Sequence, residues 1–181
     1  SGDFSSIAGG YSNKASGLYS SVSGGTGNLA SGETSSVSGG ETNEAKGTSA
    51  SISGGGSGTS ASISGGGQGL ASGDRSSIAG GGSLQALGKG SVALGGEESI
   101  AGGDYSLMAA GRYNKASGDF SSIAGGYSNK ASGLYSSVSG GTGNLASGET
   151  SSVSGGETNE AKGTSASISG GGQGLASGDR S

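Results

Sequence analysis

The chain has 181 residues, of which 46 are glycine and only 28% are hydrophobic, and it contains no proline, cysteine, tryptophan or histidine. Its net charge of −4 comes from 13 acidic and nine basic residues, and without a basic run it lacks the electrostatic footprint of a nucleic-acid binder. No stretch approaches the roughly 18 apolar residues of a membrane span, no charged leader with an apolar stretch is visible, and without cysteine no disulfide can form.

The first forty residues, SGDFSSIAGGYSNKASGLYSSVSGGTGNLASGETSSVSGG, state one short phrase three times. Such a composition suits a flexible linker or a disordered segment, but neither has a reason to space its apolar residues evenly. Here an aliphatic residue ahead of a glycine-rich turn recurs at Ile7, Val22, Val37, Ile52, Ile63, Ile78, Val92, Met108, Ile123, Val138, Val153 and Ile168. The steps are 15 residues, except for 11 after Ile52, 14 after Ile78 and 16 after Val92. Eight positions further on stands Ala15, Ala30, Ala45, Ala71, Ala86, Ala116, Ala131, Ala146, Ala161 or Ala176. Such a clock is the signature of a solenoid.

Each repeat holds two segments, S-S-(I/V)-(S/A)-G-G and N-x-A-S-G, too short and glycine-rich for helices. As strands, with side chains alternating between faces, Ser20, Val22 and Gly24 share one face and Ser21 and Ser23 the other. Likewise Asn28, Ala30 and Gly32 point inward, while Leu29 and Ser31 point out. The Leu29 slot holds Lys14, Glu44, Leu70, Gln85 and Lys115 elsewhere, as a solvent-facing slot should. The pattern predicts an all-β parallel solenoid of about 12 coils, with two short strands per coil of about 15 residues. The recurring aliphatics are its expected core. Asn13, Asn28, Asn43, Asn114, Asn129, Asn144 and Asn159 are expected at turns. There asparagine tolerates left-handed backbone, and its amide stacks in a ladder or bonds the turn.

Residues 1–56 recur identically as 117–172, and GTSASISGGG stands at 47–56 and again at 58–67. Residues 1–181 therefore read as one repetitive domain, a fragment of something longer, with irregular coils near 47–67 and 84–107. The stretch LQALGKGSVALGGEESIAGGDYSLMAAG is the most divergent and the first place to look for a distinctive surface. One aliphatic and one alanine per coil bury little apolar area against the entropy of ordering the coil. Association of several chains along an apolar seam is expected to help.

Ser91-Val92-Ala93-Leu94-Gly95 matches the strand motif S-V-A-I-G, and SSIAGG, SSVSGG and SASISGG, with NKASG, NLASG and NEAKG between them, are in-phase variants of the same pattern. With two strands per coil, the chain over nearly its whole length resembles the YadA-like heads of trimeric autotransporter adhesins. The resemblance implies a left-handed parallel β-roll, three chains side by side as a homotrimer, and extracellular display from a bacterial outer membrane. It also implies attachment to host matrix proteins, to cells or to other bacteria, with no catalysis, cofactor or metal in the head. Neck, coiled-coil stalk and barrel-anchor signatures are not seen in this sequence. Gly9, Gly24 and Gly39 replace the second hydrophobe of the motif, which is expected to thin the core. Similar repeats occur in bacteriophage tail fibres.

Other motifs carry less. Gly25–Ala30 matches G-x-G-x-x-A, but no helix can follow it. The segment around Lys89 lacks phosphate-loop spacing. Calcium-binding nonapeptide rolls need an aspartate in every repeat, and Leu29 and Ala71 stand in those slots. Serine abounds without a histidine or cysteine to activate it. Rows of outward serine resemble the plan of ice-binding solenoids, which favour threonine. Phe4, Tyr19, Tyr105, Phe120 and Tyr135, three residues before the core aliphatic, either cover the roll edge or an interchain seam, or anchor a contact surface.

Overall fold

A computed structural model describes residues 2–40, 42–45, 51–52, 62–63 and 69–181. It is an all-β solenoid of parallel strands; the described residues hold 23 of them, each two residues long, and no helix. The first strands of successive coils, from Ser6–Ile7 to Ser167–Ile168, form one continuous 12-stranded sheet. The second strands form a three-stranded sheet from Lys14–Ala15 to Glu44–Ala45 and an eight-stranded sheet from Leu70–Ala71 to Leu175–Ala176.

The register is in phase coil after coil, Ser21 on Ser36 and Val22 on Val37. Backbone N–H groups of one coil donate to carbonyls of the next, as from Ser23 to Val37 at 2.8 Å and from Leu29 to Asn43 at 2.7 Å. A third row of bridges, which the sequence pattern did not reveal, runs beside the strands: Gly82, Glu97, Arg112, Tyr127, Thr142, Glu157 and Gly172 pair in succession.

Strands this short follow from three left-handed corners per coil. One lies three residues before the core position, as at Phe4 (φ 56°), Tyr19 (57°) and Phe120 (55°). Another is the second glycine of the pair, as at Gly25 (88°) and Gly126 (91°), and the third is the residue before the asparagine, as at Ser12 (57°) and Ser128 (56°). Gly126 has a second reason to be glycine: a Cβ there would collide with the Gly141 carbonyl of the next coil and the Asn129 amide. The first glycine of the pair has neither constraint in most coils, Gly155 and Gly170 being the exceptions in backbone angle. A Cβ on Gly9, Gly24 or Gly39 would meet nothing, so these residues do not thin the core, and Ala110 stands in the same slot.

The core is two columns, an alanine column from Ala15 to Ala161 and a larger column that includes Val22, Val37, Ile52, Ile78, Met108, Ile123, Val138 and Val153. Ile7, in the first coil, is 48% exposed, and Ile168 packs partly buried at the other end of the sheet. The side chain of Ile63 lies outside the described residues.

One core position is corrected. Val92 pairs with Ser77 and Leu107, and Ala93 pairs with Ile78 and Met108. Ala93 is therefore the inward residue, and Val92 lies half-buried on the outer face. The steps of 14 and 16 residues become two of 15, and the coils of 84–107 pair regularly. The irregular coil expected near 47–67 falls largely outside the described residues. Its strands Ser51–Ile52 and Ser62–Ile63 pair directly across the 11-residue step.

Candidate contact surfaces

The asparagines do not occupy the left-handed corners, which fall on the residues before them. All but Asn13 are buried, because the side chain turns inward at the start of the second strand. The Nδ2 of Asn129 donates to Gly125 O in its own coil at 3.0 Å and to Gly141 O in the next at 2.9 Å. Its Oδ1 accepts the backbone N–H of Asn144 at 2.9 Å. Such a ladder satisfies backbone groups that the tight corner strands, and it offers nothing to a ligand. Leu84 fills the same slot with carbon, and Ser99 fills it with a hydroxyl that accepts the Asn114 N–H at 3.1 Å.

A parallel ladder of carboxylates was not anticipated. Asp119 Oδ1 accepts the Asp104 N–H at 2.9 Å, and Asp104 Oδ1 accepts the Lys89 N–H at 2.8 Å. Aspartate capping a turn N–H is a known local signal, but here the partner lies 15 residues away, out of reach of local motif reading.

Two outward features remain as contact candidates. The aromatic corner residues stack along the solenoid. Phe4 lies on Tyr19 at 5.1 Å between ring centroids, Tyr105 on Phe120 at 5.2 Å, and Phe120 on Tyr135 at 5.0 Å, all near-parallel. All five remain substantially exposed. Their left-handed backbone is unfavourable for aromatic side chains by about 1–2 kcal/mol each, and stacking worth about 0.5–1.5 kcal/mol per pair offsets it.

The second feature lies on the outer face of the 12-stranded sheet. Most coils present small side chains there, such as Ser137 and Ser139. The coils of the divergent stretch present Val92, Leu94 and Leu107 instead. Leu94 is 49% exposed and Leu107 38%, giving an apolar patch on a surface otherwise made of serine and alanine.

The charged groups pair both across coils and within one. Arg112 meets Glu97 at 3.1 Å and lies over the Tyr113 ring, and Lys162 meets Glu160 at 2.9 Å. A shallow depression lined by Ser83, Gln85, Glu98 and Ile100 gathers no catalytic set. Among the described residues there is no cluster of three or more potential metal-ligating side chains.

No family model matches the chain, and no curated protein matches it.

Proposed function

We propose that the chain is a structural and adhesive segment of a bacterial surface fibre, displayed outside the cell by parts beyond this sequence. The observation that carries this reading is the uninterrupted 12-stranded sheet, in which each coil hydrogen-bonds the next. At about 4.8 Å per strand it makes a stiff element roughly 53 Å long. Repeated outward side chains then give many weak contacts, which add through avidity. The segment performs no catalysis and holds no cofactor in this reading, and its partners are host matrix or cell-surface proteins and copies of itself.

Association as a side-by-side homotrimer is part of the proposal. Half-buried Val92 and exposed Leu94 and Leu107 on one sheet face support it, because gathering them around a common three-fold axis removes apolar area from water. Sedimentation of the folded chain, with binding to immobilised matrix proteins and whole cells, tests both parts. A β-rich species of three chain masses that adheres is the expected result. A β-rich monomer that binds neither surface overturns it.

A further inference from the structure

We infer that the chain carries two copies of a ledge for a neutral sugar ring, one where Tyr19 ends an aromatic stack and one where Tyr135 does. The inference rests on the adhesive reading and gives it a ligand class.

The Tyr135 ring has one face against Phe120, at 5.0 Å and 21°. On the other side, the same corner of the next two coils holds only Thr150 and Ser165. The stack therefore stops at a step, with Tyr135 53% exposed. Phe120, by contrast, has ring neighbours on both sides, and Tyr105 lies over Gly90 on its far side. Leu134, beside Tyr135 in the chain, is 40% exposed and widens the apolar shelf.

One coil further, the corner pair is Glu149 and Thr150, both exposed, which brings a carboxylate and a hydroxyl to the layer beside the shelf. The Thr150 N–H donates to Leu134 O at 2.8 Å, and its Oγ1 is hydrogen-bonded to Ser165 Oγ at 2.8 Å. These bonds tie that layer to the shelf.

A pyranose has an apolar C–H face and a rim of hydroxyls. Its C–H face continues the stack over Tyr135, at the ring separations of about 4.5–7 Å that aromatic packing allows. Its hydroxyls donate to Glu149, a charge-assisted bond. The same carboxylate repels sulfated or carboxylated sugars, so the class is neutral. Phe4, Leu18, Tyr19, Glu33 and Thr34 repeat the arrangement, with Phe4 stacked on Tyr19 at 5.1 Å and 11°. The two ledges are eight strand steps apart in the first sheet, about 38 Å along the axis at the usual strand spacing. A polymer bearing many such sugars can engage both.

Threonine already stands at this corner in the adjoining coils, so Tyr19→Thr and Tyr135→Thr leave the fold intact. The test compares the wild type, both single variants and the double variant. Saturation-transfer NMR with methyl glycosides of glucose, galactose and mannose reads the ledge, and retention on a hexose-bearing polymer reads bivalency. The expected result is glycoside contact to tyrosine ring protons in the wild type, weakened about tenfold or more in the double variant. Each single variant keeps glycoside binding and loses most polymer retention. Absence of glycoside binding in the wild type, or unchanged binding in the double variant, overturns the inference. A wild type that holds matrix or cells but no glycoside sinks the ledge and leaves the adhesive reading standing. Glycoside binding through tyrosine, without adhesion to any surface, does the reverse.

Discussion

Asn129 donates its backbone N–H to the Oδ1 of Asn114 at 2.9 Å, while its own Oδ1 receives Asn144 at the same distance. Each side-chain amide thus joins two coils, and with the backbone N–H the residue links three. Replacing Asn129 with alanine leaves the Asn144 N–H and Gly125 O without partners, while Gly141 O keeps its bond from the Tyr127 N–H. Asn129→Ala should lower unfolding free energy by about 2–4 kcal/mol, the sum expected for two orphaned buried groups. Asn129→Leu should be milder by about 1 kcal/mol, because it fills the space as Leu84 does. Urea titrations followed by circular dichroism measure both, and equal losses would mean that packing in the slot contributes little.

The two glycines of a pair should behave oppositely. Gly126 is left-handed and has the neighbouring coil against its α-carbon, while Gly125 has open space there. Gly126→Ala should cost about 3 kcal/mol or more, combining backbone strain with displacement of the next coil. Gly125→Ala should be neutral or stabilising by about 0.5 kcal/mol, through the entropy of the unfolded chain. Thermal midpoints of the two variants decide it.

A column of buried serines lines the turn before the first strand. In seven of them, from Ser20 to Ser136, the hydroxyl has no partner, whereas Ser151 Oγ donates to Gly148 O at 2.7 Å. The corresponding carbonyl is within reach in the other coils, since Ser121 N already donates to Gly118 O at 3.1 Å. The hydroxyl needs only a rotation, and it returns a small net gain. Ser121→Ala should therefore change stability by less than about 1 kcal/mol, and Ala166 already occupies this slot. A loss of several kcal/mol in denaturant titration would show that the serine column is a structural network.

The outer patch gives a prediction separable from folding. Changing Val92 and Leu107 to serine and Leu94 to alanine gives these coils the surface of their neighbours. Under the proposed association, the β circular dichroism should persist while the sedimenting species falls from three chain masses to one. Ala93→Leu should do the opposite. It forces a large side chain between Ile78 and Met108 and should destabilise each chain by about 1–3 kcal/mol or more through overpacking.

The period, the parallel strands and the identity of the inward alanine column were legible in the sequence, because one-face burial shows in the alternation of Val22 with Ser21 and Ser23. Val92 was misread because the eye follows the largest aliphatic residue. The fixed distances in the coil run instead from the buried Ser91 to Ala93 and on to the glycine pair Gly95-Gly96. On that spacing the alanine is inward, whatever its size. The third bridge row left no trace because a single paired residue, such as Thr142 or Glu157, carries no alternation. The left-handed corners at Phe120 and Tyr135 were hidden for a different reason. Aromatic residues have no preference for that backbone, and the coil imposes it. The step at Tyr135 that makes a ledge depends on the neighbour one coil away, so local motif reading passes over it.

The direct pairing of Ser51–Ile52 with Ser62–Ile63 is the equivalent of a stacking fault in a crystal. The first sheet runs through it in register, while the second strands among the described residues fall into sheets of three and eight. A chain built this way can lengthen or shorten by whole coils at little cost, because each new layer lands on a template identical to the last. Insertions of any other length are tolerated only where one sheet carries the lattice past the defect. Length is therefore a quantised trait of such a solenoid, and recombination between its identical stretches can change reach without changing chemistry.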